Sequence, residues 1–316
     1  MLLRGLKEYI ATPRNESQRY PISDLAAIVT VTDDGGSSGR LRREYSILPP
    51  GDIRNCLVAL SDDEALLSRL FQYRFHAGRG LRGHSFGNLF LTALSNVTGD
   101  FSEAVRESSQ VLAIRGRIFP ATNQYIALEA RMKDGRVVRG ETRIARAHGH
   151  IRRIDLVPRR VKPLPEVMQA IEQAGVILLG PGSLYSSLIP NLLVSGVADA
   201  IASSKALRIY IPNLMTQPGE TDGMTMVEHI RAIYQHTRKP IFDWVVMNDQ
   251  PISPDIARRY RASGAEPVQT DWHELEKLGL RCAFANLLDE DGVLRHNSAR
   301  LARLLVEQFV ARRALR

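Results

Sequence analysis

The stretch Asp33 to Asn55, DDGGSSGRLRREYSILPPGDIRN, gathers side chains that can do chemistry together. Asp33 and Asp34 are followed by Gly35, Gly36, Ser37, Ser38 and Gly39, then by Arg40, Arg42 and Arg43, and after a Pro49-Pro50 turn by Asp52 and Asn55. Glycines let backbone amides approach an anion closely, and hydroxyls and guanidiniums complete a phosphate cradle. Carboxylates at the carboxyl end of a strand can hold a hydroxyl, a ribose or a magnesium ion, and Asp33 and Asp34 leave room for magnesium shared with ligand phosphates. The plain alternative is a glycine-rich turn capped by Asp33 or Asp34, with Asp52 as a helix N-cap. No Gly-Lys-Ser/Thr follows, so this is not a Walker loop. Two further stretches carry similar chemistry. In His84-Ser85-Phe86-Gly87-Asn88 the histidine could donate to an anion or act as a base, and Asn88 could cap a helix or bind ligand; a structural histidine is the alternative. Gly180-Pro181-Gly182-Ser183 forms a strand-to-helix glycine turn of the phosphate-binding kind. Asn213, Thr216 and Gln217, and then Asn248 and Asp249, follow later strands and would line the same crevice. No nucleophile triad or zinc spacing is present, and no metal ligand set is certain.

These loops need strands to hold them. Apolar runs at Leu25–Val31, Val176–Leu179, Leu207–Ile211 and Phe242–Met247 each end in Gly, Pro, Asn or Asp, and near-continuous apolar runs imply strands buried on both faces. The predicted fold class is α/β: a Rossmann-like, mostly parallel sheet flanked by helices. Helical spacing covers 53–60, 64–71, 88–96, 101–112, 164–173, 225–236, 254–262 and 298–313, the last capped by Asn297 or Ser298 and ending among arginines. The Gly-Asx pairs Gly51-Asp52 and Gly87-Asn88 each open a helix and are expected to supply its capping side chain. Between Tyr125 and Val157 the pattern shortens and alternates, with Lys133-Asp134-Gly135-Arg136 as a hairpin signal. The chain therefore reads as one domain, 1–316, carrying a small basic antiparallel insert at 125–160.

A 316-residue chain with 44% hydrophobic and 24% charged residues can bury a core unaided, and it has no apolar run long enough for a membrane span. Its 2 cysteines cannot build a disulfide framework, and with no secretory signal at Met1 the chain reads as cytoplasmic. The net charge of +8 raises the question of nucleic acid. Much of the excess lies between Arg131 and Arg160, without interleaved aromatics or a nucleic-acid motif, so a solvated arginine face is favoured and nucleic acid is not expected as a partner. A homodimer through a sheet edge stays open.

The segments VTVTDDGGSSGRLRREYSILPPGDIRNCLVALSD, HSFGNLFLTALSNVTGDF, LLGPGSLYSSLIPNLLVSGV and IPNLMTQPGET together resemble the YvcK-type gluconeogenesis factors, a bacterial branch of the superfamily that includes the 2-phospho-L-lactate transferases (CofD). The resemblance implies a Rossmann-like fold with a nucleotide-linked ligand at the strand ends. For the YvcK branch it implies binding of UDP-sugars such as UDP-N-acetylglucosamine, and a role in cell shape and cell-wall balance during gluconeogenic growth, with no cofactor required and no established turnover. For the transferase branch it implies magnesium-assisted transfer of a phospholactyl group from a nucleotide donor, with Asp34 or Asp52 activating the acceptor. On this reading the loops Asp33–Arg43 and Gly180–Ser183 embrace a diphosphate, while Asn88 and Asn213 meet the sugar or base. Asp34, on a loop, is expected to serve ligand rather than stability. Such proteins usually begin with a strand and a glycine-rich turn ahead of the helix that Leu2 continues, so an upstream translation start is expected.

Overall fold

The computed structural model describes residues 1–12, 22–62, 65–289 and 293–311. Four parallel strands, Val176–Leu179, Leu207–Tyr210, Trp244–Asn248 and Arg281–Ala285, form one sheet in chain order. A second parallel pair joins Ala26–Val29 to Arg117–Pro120 in the register Ala26 to Arg117. The expected α/β arrangement, a parallel sheet flanked by helices, is thus present. Among the described residues, neither Ala26–Val29 nor Val176–Leu179 has a second ladder partner.

Alternation along the four-stranded sheet explains why its strands read as continuous apolar runs. Ile209, Ile211 and Val246 face Leu301, Leu305 and Phe309 on one side. Tyr210, Val245 and Met247 join the principal core with Ile230, Ile233 and Phe242 on the other. The C-terminal helix Ser298–Leu305 starts where the side chain of Asn297 accepts from the Arg300 amide, and it passes into a π-helical turn at Val306–Val310. Arg312 and Arg313, expected in that helix, lie outside the described residues, as does Glu64. Helix Leu2–Ala11 crosses it closely, because Gly5 has no Cβ: one would sit 2.1 Å from the Ser298 carbonyl oxygen. No single helix among the described residues is long and apolar enough to cross a membrane.

The alternating region forms a three-stranded antiparallel sheet in the order Val137–Arg139, Ala127–Met132, Ile151–Val157. Its inward residues Leu128, Ala130, Ile154 and Leu156 belong to the principal core, so it is packed on the body of the protein. The short helix Glu141–Arg146 leaves this sheet and returns toward the loop after Ala26–Val29. Three helices fix the site: Gly36–Tyr45 and Gly51–Leu60, each packed on Phe86–Thr98.

Candidate functional site

The site grows from the turn at Asp33. Its Oδ1 accepts the Gly35 amide at 2.8 Å, an Asx turn that releases the chain into Gly36, at φ +47°, and helix Gly36–Tyr45. That helix lays Ser37 and Ser38 against its neighbours: Ser37 Oγ is 2.9 Å from His84 Nδ1, and the Asn88 side-chain amide donates to Ser38 Oγ at 3.4 Å. Gly51, at the head of the next helix, lies so near that a Cβ there would be 2.5 Å from Ser38 Oγ and 2.8 Å from Asp33 Oδ2. The N-termini of Gly36–Tyr45, Gly51–Leu60 and Phe86–Thr98 therefore meet around Asp33, Ser37, Ser38, His84 and Asn88. Helix N-termini present unpaired amides and positive dipole ends, which suits an anion. Asn88 is buried, and its Oδ1 has no hydrogen-bond partner; the same holds for Arg54 Nε. A buried amide oxygen left without a donor is costly and marks a place for a ligand NH or OH.

Two capping expectations are corrected. Pro50, not Asp52, holds the cap position of Gly51–Leu60, and Asp52 lies in its first turn. Ser85, not Asn88, caps Phe86–Thr98, accepting the Asn88 amide at 3.3 Å. Asp52 and Asn88 are thereby left free of that structural duty.

Arg40 reaches the Arg82 carbonyl at 2.9 Å, and exposed Asn55 accepts from Arg54 at 2.6 Å. Arg42 points inward instead of joining a cradle: it is 5% exposed, donates to the carbonyls of Thr32 and Ile126, and stacks on Tyr125 at 4.0 Å.

Asp34 departs furthest from its expected role. Its Oδ1 accepts the Thr142 amide at 2.9 Å and the Thr142 hydroxyl at 2.6 Å, so it staples the insert helix Glu141–Arg146 to the strand-end turn. Asp34→Ala is expected to lower stability by about 1–3 kcal/mol, the usual cost of losing two part-buried hydrogen bonds, one of them to an amide in the first turn of a helix. Denaturant unfolding measures this, and a change within about 0.5 kcal/mol, typical of a neutral surface substitution, would contradict the bridging role.

The staple brings in Glu141, which sequence reasoning missed. Burial pushes its carboxyl up to about 8, reinforced by the charges of Asp33, Asp52, Glu220 and Asp34. Asp52 is raised to about 6 by burial and then by Asp33, with Arg54 opposing. Near neutral pH one carboxyl thus holds a proton while its neighbour is mostly ionised, the separation that acid–base pairs use. His84 is pushed below its ordinary value by burial and by Arg40 and Arg74, so it stays neutral beside Ser37. Among the described residues no three His, Cys, Asp or Glu side chains are grouped to hold a metal ion alone. Asp34 engages Thr142 through Oδ1 and Asp33 engages the Gly35 amide through Oδ1, so a magnesium ion would draw on the second oxygens of these two and on Asp52, and its shell would need phosphate and water oxygens.

The second glycine turn lies across from the first, joined by Thr32 Oγ1 donating to the Ser186 carbonyl at 3.3 Å. Gly180 has φ +93°, and a Cβ would meet the Ile211 carbonyl at 2.1 Å; Asn213 donates to the Gly182 carbonyl at 3.0 Å. The amides of Tyr185 and Ser186, which a phosphate would use, both donate at 3.3 Å to Glu220, and the Ser186 hydroxyl donates to it at 2.8 Å. An internal carboxylate therefore occupies the start of the π-helical turn Leu184–Leu188, leaving the backbone of Gly180, Gly182 and Ser183 as what this loop offers a ligand. Gln217 donates to Glu220 at 3.3 Å. Thr216 accepts the Glu266 amide and Asn248 accepts the Leu287 amide, so these two are structural. Glu220 sits in the MTQPGET segment and is visible there as an acidic residue after a strand; nothing in the local sequence around Glu141 marks it out.

Comparison with known proteins agrees over nearly the whole chain. The profile of the family described as "2-phospho-L-lactate transferase CofD" matches residues 1–288. The chain is 47% identical to the "Gluconeogenesis factor" of Halalkalibacterium halodurans over 97% of this chain and 92% of that protein. It is 46% identical to the "Gluconeogenesis factor" of Bacillus subtilis over 97% and 93% respectively. A relative from Nostoc sp. is 51% identical over 98% of this chain, which spans 66% of that longer protein. A crystal structure of a UPF0052-family protein from Bacillus halodurans superposes with a TM-score of 0.90 at 47% identity, covering 96% of this chain and 94% of that one.

Proposed function

The chain belongs to the CofD family, and from that premise we propose that it is a cytoplasmic regulatory factor that binds a nucleotide-sugar of the UDP-N-acetylglucosamine kind. The observation that carries the reading is the meeting of helix N-termini around the buried, unpartnered Asn88 Oδ1. Such a setting suits a diphosphate beside the amides of Ser37 and Ser38, with Arg40 at its rim and a sugar or base N–H donating to Asn88. Asp33 and Asp52 would accept ribose or sugar hydroxyls, and Gly180, Gly182, Ser183 and Asn213 would close the opposite wall. Relatives named gluconeogenesis factors support a regulatory role, which we extend to cell-shape and cell-wall balance during gluconeogenic growth.

The acidic cluster favours a second reading, a magnesium-assisted transferase moving a phospholactyl-type group from a nucleotide donor. In it, ionised Asp52 would take the acceptor hydroxyl's proton and protonated Glu141 would supply one.

Thermal unfolding against UDP-N-acetylglucosamine, UDP-glucose, GDP and GTP, with and without magnesium, separates the two. A binder should show a saturable rise on the order of 5 °C at a hundredfold excess over Kd for UDP-sugars, with the ligand recovered intact. A guanine-nucleotide shift requiring magnesium, with donor consumed, selects the transferase. Absence of any nucleotide shift overturns both.

A further inference from the structure

Not all of the arginines between Arg131 and Arg160 disperse into solvent. A cavity of about 390 Å³ opens between the insert and helix Met226–Thr237, walled by Arg131, Arg152 and Arg153, with Gln235 from the helix and Met132 and Val137 as its apolar part. We propose that this cavity is a second ligand site, separate from the strand-end site, that takes a small metabolite bearing two or more phosphate groups.

Register supplies the first argument. Arg131 and Arg153 lie directly opposite each other on antiparallel strands, a like-charge pairing that costs stability. Asp155, with its side chain 11% exposed, is placed to relieve it: Arg153 Nε is 3.1 Å from Oδ1, Arg131 Nε 3.6 Å from Oδ2, and Arg159 approaches at 3.9 Å. One carboxylate thus answers three guanidiniums. Arg152, exposed and without an ion pair among the described residues, adds a further positive charge.

Geometry supplies the second. Asp155 engages Arg131 and Arg153 through Nε, which anchors the base of each fork. Among the described residues no protein acceptor takes a hydrogen bond from the terminal nitrogens of Arg131, Arg152 or Arg153. Preoriented guanidinium forks with unused donors match phosphate oxygens bidentately. The volume lies within the range of small-molecule sites. No aromatic side chain lines it, so nothing is provided for stacking a polynucleotide's bases.

The test uses inorganic pyrophosphate as the probe and phenylglyoxal as a reporter of arginine accessibility, with modified positions mapped by mass spectrometry. Pyrophosphate should protect Arg131, Arg152 and Arg153 saturably, and R152E should weaken that protection at the remaining two by roughly tenfold or more. R152E should leave the unfolding midpoint and the UDP-N-acetylglucosamine shift unchanged, which separates this cavity from the strand-end site. R152Q, which removes charge without reversing it, should give a smaller loss and serves if R152E folds poorly. Equal modification rates with and without millimolar pyrophosphate, or unchanged protection in both variants, would overturn the proposal. Protection by single-stranded DNA with none by pyrophosphate would overturn it in favour of a nucleic-acid surface.

Discussion

Replacing Glu141 by glutamine is expected to stabilise the protein at alkaline pH and to change little in acid. The Glu141 carboxyl stands at about 8 in the folded chain against an ordinary 4.5, because burial and the surrounding Asp33, Asp52, Glu220 and Asp34 all oppose its ionisation. A carboxyl raised on folding favours the native state while it is protonated. Its contribution is complete below about pH 4.5 and lost as pH rises through about 8. Asp52, raised from 3.8 to about 6, acts the same way in a lower window. Wild-type stability should therefore fall from about pH 6.5 to above pH 8, the window of Glu141, whereas below it the Asp52 effect is opposed by His229 and His296, which burial lowers from 6.5 to about 4 and which must gain protons on unfolding. Glutamine keeps the shape of the neutral acid and cannot ionise. Each tenfold weakening of an acid on folding corresponds to about 1.4 kcal/mol, and allowing for coupling within the cluster the gain near pH 9 is on the order of 2–4 kcal/mol. Guanidinium unfolding at acid, neutral and alkaline pH reads this directly. Parallel pH profiles for the two proteins would show that neither burial nor the neighbouring carboxylates raise the Glu141 carboxyl on folding.

That cluster also marks where reading the sequence stops. The strand at Val176–Leu179 and the turn at Asp33–Gly35 are legible because their signals are local: an apolar run, then glycine and a short acidic side chain. Ser37, Ser38, His84 and Asn88 each stand out as residues, but no spacing rule foretells that Ser37 meets His84 across 47 residues. Glu141 and Thr142 belong to an insert whose helix follows no amphipathic pattern long enough to detect, and Thr142 reaches Asp34 across 108 residues. The helix Gly36–Tyr45 reads as loop because Gly36, Ser37, Ser38 and Gly39 are poor helix formers. Tertiary contacts override that preference: Leu41 and Arg42 are almost wholly buried, and Gly39 fits against the backbone of Asp34. The strand Arg117–Pro120, only four residues long and closed by a proline, is likewise defined by its ladder to Ala26–Val29.

Gly39 gives the sharpest test of how tightly the site is built. A Cβ at Gly39 would lie 1.9 Å from the Asp34 carbonyl oxygen and 2.4 Å from its carbonyl carbon. Both are backbone atoms, so no rotamer change relieves the collision. Either the helix Gly36–Tyr45 moves out or the Asp33–Asp34 turn opens. The first pulls Ser37 from His84 and Arg42 from its buried carbonyls, and the second breaks the staple from Asp34 to Thr142. Gly39→Ala is therefore expected to cost about 3 kcal/mol or more, at the upper end for overpacking, and to abolish the UDP-sugar shift. Gly36→Ala is the matched control: nothing lies within 4 Å of its Cβ position, and only the φ of +47° is unfavourable. Its cost should be about 1 kcal/mol, as for any residue with a side chain held in a left-handed conformation, with ligand response retained. Equal losses for the two variants would mean that the loop adapts freely. The close approach of helix to turn would then not be what sets the spacing between Ser37, Ser38 and the carboxylates.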